Sequence, residues 1–117
     1  MNQFRKLEVW QKAKSFCTQI YNITDQFPPS QKFGLVNQMQ RSAVSIPSNI
    51  AEGSGRKTKN DFIHFLNISN GSSFELETQI CISKDLNYIS EDLERELIDK
   101  LHVIQKMLFK LIQSLSN

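Results

Sequence analysis

The stretch Gln38 to Arg56, Q-M-Q-R-S-A-V-S-I-P-S-N-I-A-E-G-S-G-R, decides the fold. Val36, Met39, Ala43, Ile46 and Ile50 recur at helical spacing and mark one apolar side. Successive steps of about 100° collect Gln38, Arg41, Ser45, Asn49, Glu52 and Arg56 into one narrow polar sector on the other side. Pro47 has no N–H to donate, and its ring crowds the carbonyl of Ala43. Both faces keep their register across it, which predicts a kink in a continuing helix and not a stop. Gly53 and Gly55 then loosen the helix and give it an exit, with Arg56, Lys57 and Lys59 near the turn.

Upstream, Phe27-Pro28-Pro29-Ser30 closes a first helix, because the residue before a proline leaves the α region and neither proline can extend the ladder. That helix is expected from Phe4 or Arg5 to Gln26. Ser30 offers an N-cap oxygen to a second helix beginning near Gln31. Trp10, Ala13, Cys17, Ile20, Thr24 and Phe27 form the core seam of the first helix, and Val9, Phe16 and Ile23 an adjacent stripe. An apolar surface this broad serves either a four-helix core or a contact with another subunit.

Downstream, Thr58-Lys59-Asn60-Asp61 has the spacing of a capping box and opens a third helix toward Tyr88. Phe62, Leu66, Ser69, Ser73, Leu76, Ile80 and Ser83 give its inner face. The pair Asn70-Gly71 suggests a hairpin, but the flanking residues keep helical period, so the helix is read straight through. The run Ser69 to Ser73 has low helix propensity, and its small side chains complement Ser42, Ala43, Ser45, Ser48 and Ala51 of the second helix. Ser90 caps a fourth helix, whose seam is Leu93, Leu97, Leu101, Ile104, Leu108, Leu111 and Leu115. The expected fold class is all-α: an antiparallel up-down-up-down four-helix bundle with a proline-kinked second helix, forming a single domain over residues 1–117.

Composition narrows the function without naming it. Lys plus Arg at 14 against Asp plus Glu at 12 gives a net charge of +2, too mild for obligatory nucleic-acid binding yet compatible with a local basic patch. Cys17 and Cys81 lie in apolar stretches without metal-like spacing and read as reduced core thiols of a cytoplasmic protein. No segment has the ~20 apolar residues that span a bilayer, and the N-terminal residues lack a signal-peptide core. The N-x-S/T matches at Asn22, Asn67 and Asn70 then carry no glycosylation meaning.

No constellation assembles a catalytic centre. Asp61-Phe62-Ile63-His64 and Asp99-Lys100-Leu101-His102 imitate the spacing of di-iron bundles. Counted from the turn near Ile89, however, the two histidines fall roughly 18 Å apart along the axis, and the acids are Asp where Glu is usual. Neither thiol has an activating motif. Gly53-Ser54-Gly55-Arg56-Lys57 lacks both the pattern and the strand of a phosphate loop. The expectation is therefore no catalytic residue, no metal site and no cofactor.

Two surface readings remain. The polar row is either a solvated face or a subunit contact, in which case Arg41 needs an acid such as Glu75 or Glu77. Arg5, Lys6, Lys12, Lys14, Arg56, Lys57 and Lys59 form a candidate nucleic-acid surface if the helix ends gather them, and oligomerisation would multiply its field.

The segments L-E-V-W-Q-K-A, F-G-L-V-N-Q-M-Q-R-S-A-V-S-I-P-S-N-I-A-E-G-S-G-R and D-F-I-H-F-L-N-I-S-N-G-S-S-F-E-L-E also carry a resemblance that extends over nearly the whole chain. The sequence resembles the small four-helix-bundle proteins encoded in intervening sequences of bacterial 23S ribosomal RNA genes. That family is similar to the accessory variability protein of diversity-generating retroelements, a pentamer that binds a reverse transcriptase and nucleic acid. The resemblance implies a ring-like homopentamer without established enzymatic activity, in which Arg41, Pro47, Asn49, Glu52, Gly53, Arg56, Gly71 and Glu75 match motif positions that hold the assembly together. The combined expectation is a non-enzymatic, self-assembling binding or scaffolding module. RNA or DNA and a further protein are its candidate partners; a membrane is not.

Overall fold

The computed structural model describes residues 3–116. It contains four α-helices: α1 over Glu8–Thr24, α2 over Leu35–Ser54, α3 over Lys59–Asp85 and α4 over Glu91–Leu115. No strand occurs among the described residues. Met39 meets Ser83, Ser45 meets Ser72, and Ile46 meets Ser69, so numbers rise along α2 as they fall along α3 and the pair runs antiparallel. Glu77 with His102 and Cys81 with Glu94 set the same relation between α3 and α4. Gln19 joins Glu96 and Lys100 across α1 and α4, while Gln11 and Lys12, earlier on α1, share a groove with Val103 and Ile104, later on α4. Four helices packed in this cycle enclose one core, with Ile20, Met39, Ile46, Ile50, Leu66, Leu76, Ile80, Leu97, Leu101 and Leu108 essentially shut off from solvent.

The first helix begins later than its periodicity suggests. Phe4–Lys6 form a separate 3-10 turn, and Leu7, extended at ψ 122°, divides it from α1. Gln11 Nε2 donates to the Arg5 carbonyl at 2.8 Å and ties the two together. Helix α2 likewise starts at Leu35 and not near Gln31. Pro29–Gln31 close into a 3-10 turn through Gln31 N–H to Pro28 O and Lys32 N–H to Pro29 O. Ser30 therefore caps nothing, and Gly34 stands in the N-cap position. The second stripe of α1 is also placed: Val9 and Phe16 are buried in the core, and Ile23 packs against it. Its breadth serves the four-helix core, whereas Trp10 and Cys17 are only half-buried.

Helix α3 runs without interruption through Asn70 and Gly71. The Asp61 N–H donates to Thr58 Oγ1 at 3.1 Å at its start, as Leu93 N–H does to Ser90 Oγ at the start of α4. It ends at Asp85, short of Tyr88. Asn87 takes φ 63°, and Tyr88 N–H reaches Ser83 O while Asn87 N–H reaches Lys84 O, the two crossed bonds of a left-handed helix cap.

The α2–α3 contact is tight at two places. Ser69 Oγ, fully buried, donates at 2.8 Å to the carbonyl of Ile46, the residue before Pro47, and α2 continues through the proline. Further along, Gly53 is buried inside α2. A Cβ there would lie 2.8 Å from Phe65 Cβ, 2.9 Å from Phe62 Cδ1 and 3.2 Å from Phe62 O. The helix exit is not the reason for this glycine, since the capping Gly55 has right-handed backbone angles. Gly53→Ala must push α2 off α3 and should cost about 1–3 kcal/mol, read as a lower midpoint in thermal or urea unfolding.

Candidate assembly face and basic end

The polar row of α2 divides by depth. Ser45 and Asn49 are half-buried: Asn49 Nδ2 donates to the Ser45 carbonyl at 2.8 Å and to Ser45 Oγ at 2.9 Å, and Ser45 Oγ meets Ser72 Oγ of α3 at 2.8 Å. Pro47, half-buried, lies between them in sequence. Glu52 and Arg56 form the expected ion pair at 3.1 Å, and the Arg56 guanidinium also stands 4.7 Å from the Phe65 ring centre. Both charges are about half exposed, so the pair adds little stability. Gln38 and Arg41 are exposed.

Between α2 and α3 lies a groove of about 340 Å³, lined by Gln38, Arg41, Ser42, Ser45, Ser72, Glu75 and Gln79. Arg41 and Glu75 share it without forming an ion pair among the described residues. Glu77 points elsewhere, meeting His102 Nε2 at 3.3 Å and accepting from Gln105 Nε2 at 3.0 Å on α4. Gln79 is 9% exposed, and its Oε1 is buried without a hydrogen-bond partner.

A second stripe runs along the outside of α3. Ile68, Gly71, Glu75, Thr78 and Ile82, spaced alternately three and four apart, are all exposed. A Cβ on Gly71 would meet nothing within 4 Å. The small patch around it is only partly used inside the protomer: Ser69, Ser72 and Ser73 are buried, while Gly71 faces outward. Sequence reasoning found Gly71 and Glu75 but missed Ile68, Gln79 and Ile82. The inner seam of α3 has the same alternating spacing, and the outer stripe is the row on the nearly opposite side of that helix.

The basic residues gather at one end. Arg5 and Lys6 lie in the turn before α1, and Arg56, Lys57 and Lys59 flank the α2–α3 connection. Antiparallel packing puts both at the same end of the bundle, together with the C-terminal part of α4 and its Lys106 and Lys110. Lys12 and Lys14 follow on α1, Lys12 at 4.0 Å from Glu8 and Lys14 over the Trp10 ring at 5.8 Å. Cutting the bundle at mid-length, residues 3–14, 47–72 and 103–116 carry nine Lys and Arg against three Asp and Glu, and residues 15–46 and 73–102 carry five against nine. The net charge of +2 thus hides two oppositely charged halves of a body 44 Å long.

Neither thiol is activated. Burial raises the Cys17 pKa, and burial with the nearby Glu94, Glu77 and Asp85 carboxylates raises that of Cys81. Both cysteines are free and half-buried, not core residues. Among the described residues no group of three potential metal ligands comes together, and no helix is long and apolar enough to cross a membrane.

Fold and surface together define a four-helix, all-α bundle with a polar groove between its second and third helices. The chain belongs to the 23S rRNA-intervening sequence protein family, whose pattern matches residues 5–110. Among solved structures it is similar to a protein of unknown function from the S23 ribosomal protein family of Bacteroides thetaiotaomicron VPI-5482. The TM-score is 0.84 and the identity 28%, over 90% of this chain and 95% of that one. No curated protein matches.

Proposed function

We propose that this protein is a non-enzymatic, self-assembling module of the cytoplasm whose copies meet across the outer faces of α2 and α3, as a pentamer by analogy with its family. The observation that carries the reading is Gly71. A glycine in the middle of a 27-residue helix costs about 1 kcal/mol relative to alanine, and here no neighbour within the protomer requires it. A backbone from a second copy, lying against the stripe between Ile68 and Ile82, gives it a purpose. The unpaired Arg41 and Glu75 add complementary charge to the same side. Gly71→Ala separates the two roles: it should raise the stability of the isolated protomer by about 1 kcal/mol and weaken assembly. Sedimentation supplies the second readout, and a wild type of protomer mass rejects the proposal. Arg41→Ala should shift the wild-type particle toward the protomer; an unchanged mass removes the polar row from the contact.

The charge segregation favours a second reading, in which the basic end binds RNA or DNA. Arg5, Lys6, Lys57 and Lys59 are exposed there. Phe109, 64% exposed on α4 between Lys106 and Lys110, offers a face on which a base can stack. Retention on single-stranded nucleic acid should be strongest at low salt and fall steeply as salt rises. No retention at low ionic strength rejects this reading.

A further inference from the structure

We infer that the nucleic acid of the basic end is an unpaired strand laid across the α3–α4 face, with neighbouring bases stacked on Phe109 and Phe74. This rests on the nucleic-acid reading above and names the form of the ligand and its path. Phe74 is 53% exposed and lines a groove of about 360 Å³ between α3 and α4, together with His102 and Gln105. Phe109, 64% exposed, follows Gln105 by one helical turn and so stands on the same side of α4. Glu77 meets both His102 and Gln105, which sets the register of the two helices. Phe74, just before Glu77 on antiparallel α3, is then level with the turn of α4 that leads to Phe109, about one helix spacing of 8–10 Å away. Neither ring has an aromatic or cationic partner among the described residues.

Charge decides what covers them. From Phe62 to Phe74 and from Lys100 to Ser116 the chain has no Asp or Glu, whereas Lys106 and Lys110 flank Phe109 and are exposed. Rings beside lysines and away from carboxylates suit bases that carry phosphates. Exposed Asn67, two turns before Phe74, and Gln113, one turn after Phe109, add amide donors and acceptors for base edges. A duplex hides base faces in its own stack, so the rings serve unpaired bases. The path stops at Glu77, the acid that lines this groove. The α2–α3 groove shares no lining residue with it, so assembly and strand binding are separable.

Fluorescence anisotropy with a labelled oligothymidylate of about 12 nucleotides tests the path. Phe74→Leu and Phe109→Leu keep apolar bulk and lose the ring. Each should weaken binding about fivefold or more, with the salt slope and the thermal midpoint of the protein unchanged. Phe109→Trp should bind at least as tightly as the wild type. Lys106→Ala should instead flatten the fall of log affinity with log salt by about 0.7. The same strand annealed to oligoadenylate should bind more weakly than it does alone. A wild type that binds no oligothymidylate at low ionic strength overturns the nucleic-acid reading and this inference together. Binding that is unmoved by Phe74→Leu or by Phe109→Leu overturns the path alone. So does binding that falls in Phe109→Trp as in Phe109→Leu, keeps its full salt slope in Lys106→Ala, or is no weaker for the duplex.

Discussion

The near approach of α2 to α3 is the constraint on which the rest of the bundle depends. It is held at one end by Gly53, pressed on Phe62 and Phe65, and at mid-length by Ser69 donating to the Ile46 carbonyl. Two backbones come this close only where side chains are missing or short. The same small residues make α3 a poor helix by propensity, so packing must hold it in shape. Once α2 and α3 are fixed, Leu66, Leu76 and Ile80 meet Met39, Ile46 and Ile50 inside the core, and α1 and α4 close over them.

Most of this architecture can be read from the sequence because it follows from periodicity and caps. Thr58 and Ser90 start their helices as their side chains predict, and the helix through Gly71 is legible because apolar spacing continues on both sides of it. The errors lie where local backbone geometry overrides the pattern. Leu7 turns extended between two helical segments, and Gly34, not Ser30, precedes α2. Gly53 reads as a loose helix end, and only the position of two phenylalanines from another helix explains it.

The candidate site is less legible. Arg41 and Asn49 occupy one helical row, yet the structure separates them into an exposed charge and a half-buried hydrogen-bonding group. Which acid faces Arg41 depends on how α3 is rotated, and Glu77 turns to His102 while Glu75 does not. The unmet oxygen of Gln79 depends on burial at atomic detail, for which glutamine in a helix gives no sequence signal. Charge segregation was partly visible in the basic clusters near the helix ends, but its size needed the antiparallel packing of all four helices.

That segregation bears on how copies can lie beside one another. Parallel neighbours bring basic end against basic end and acidic end against acidic end, and their mutual repulsion weakens as salt screens it. Antiparallel neighbours attract, and salt weakens the attraction. Any parallel arrangement of copies would be held against this long-range field, whereas the single bundle already carries opposite electrostatic signs at its two ends. Such a body has a direction: any charged surface or polymer it meets is offered one face and refused by the other.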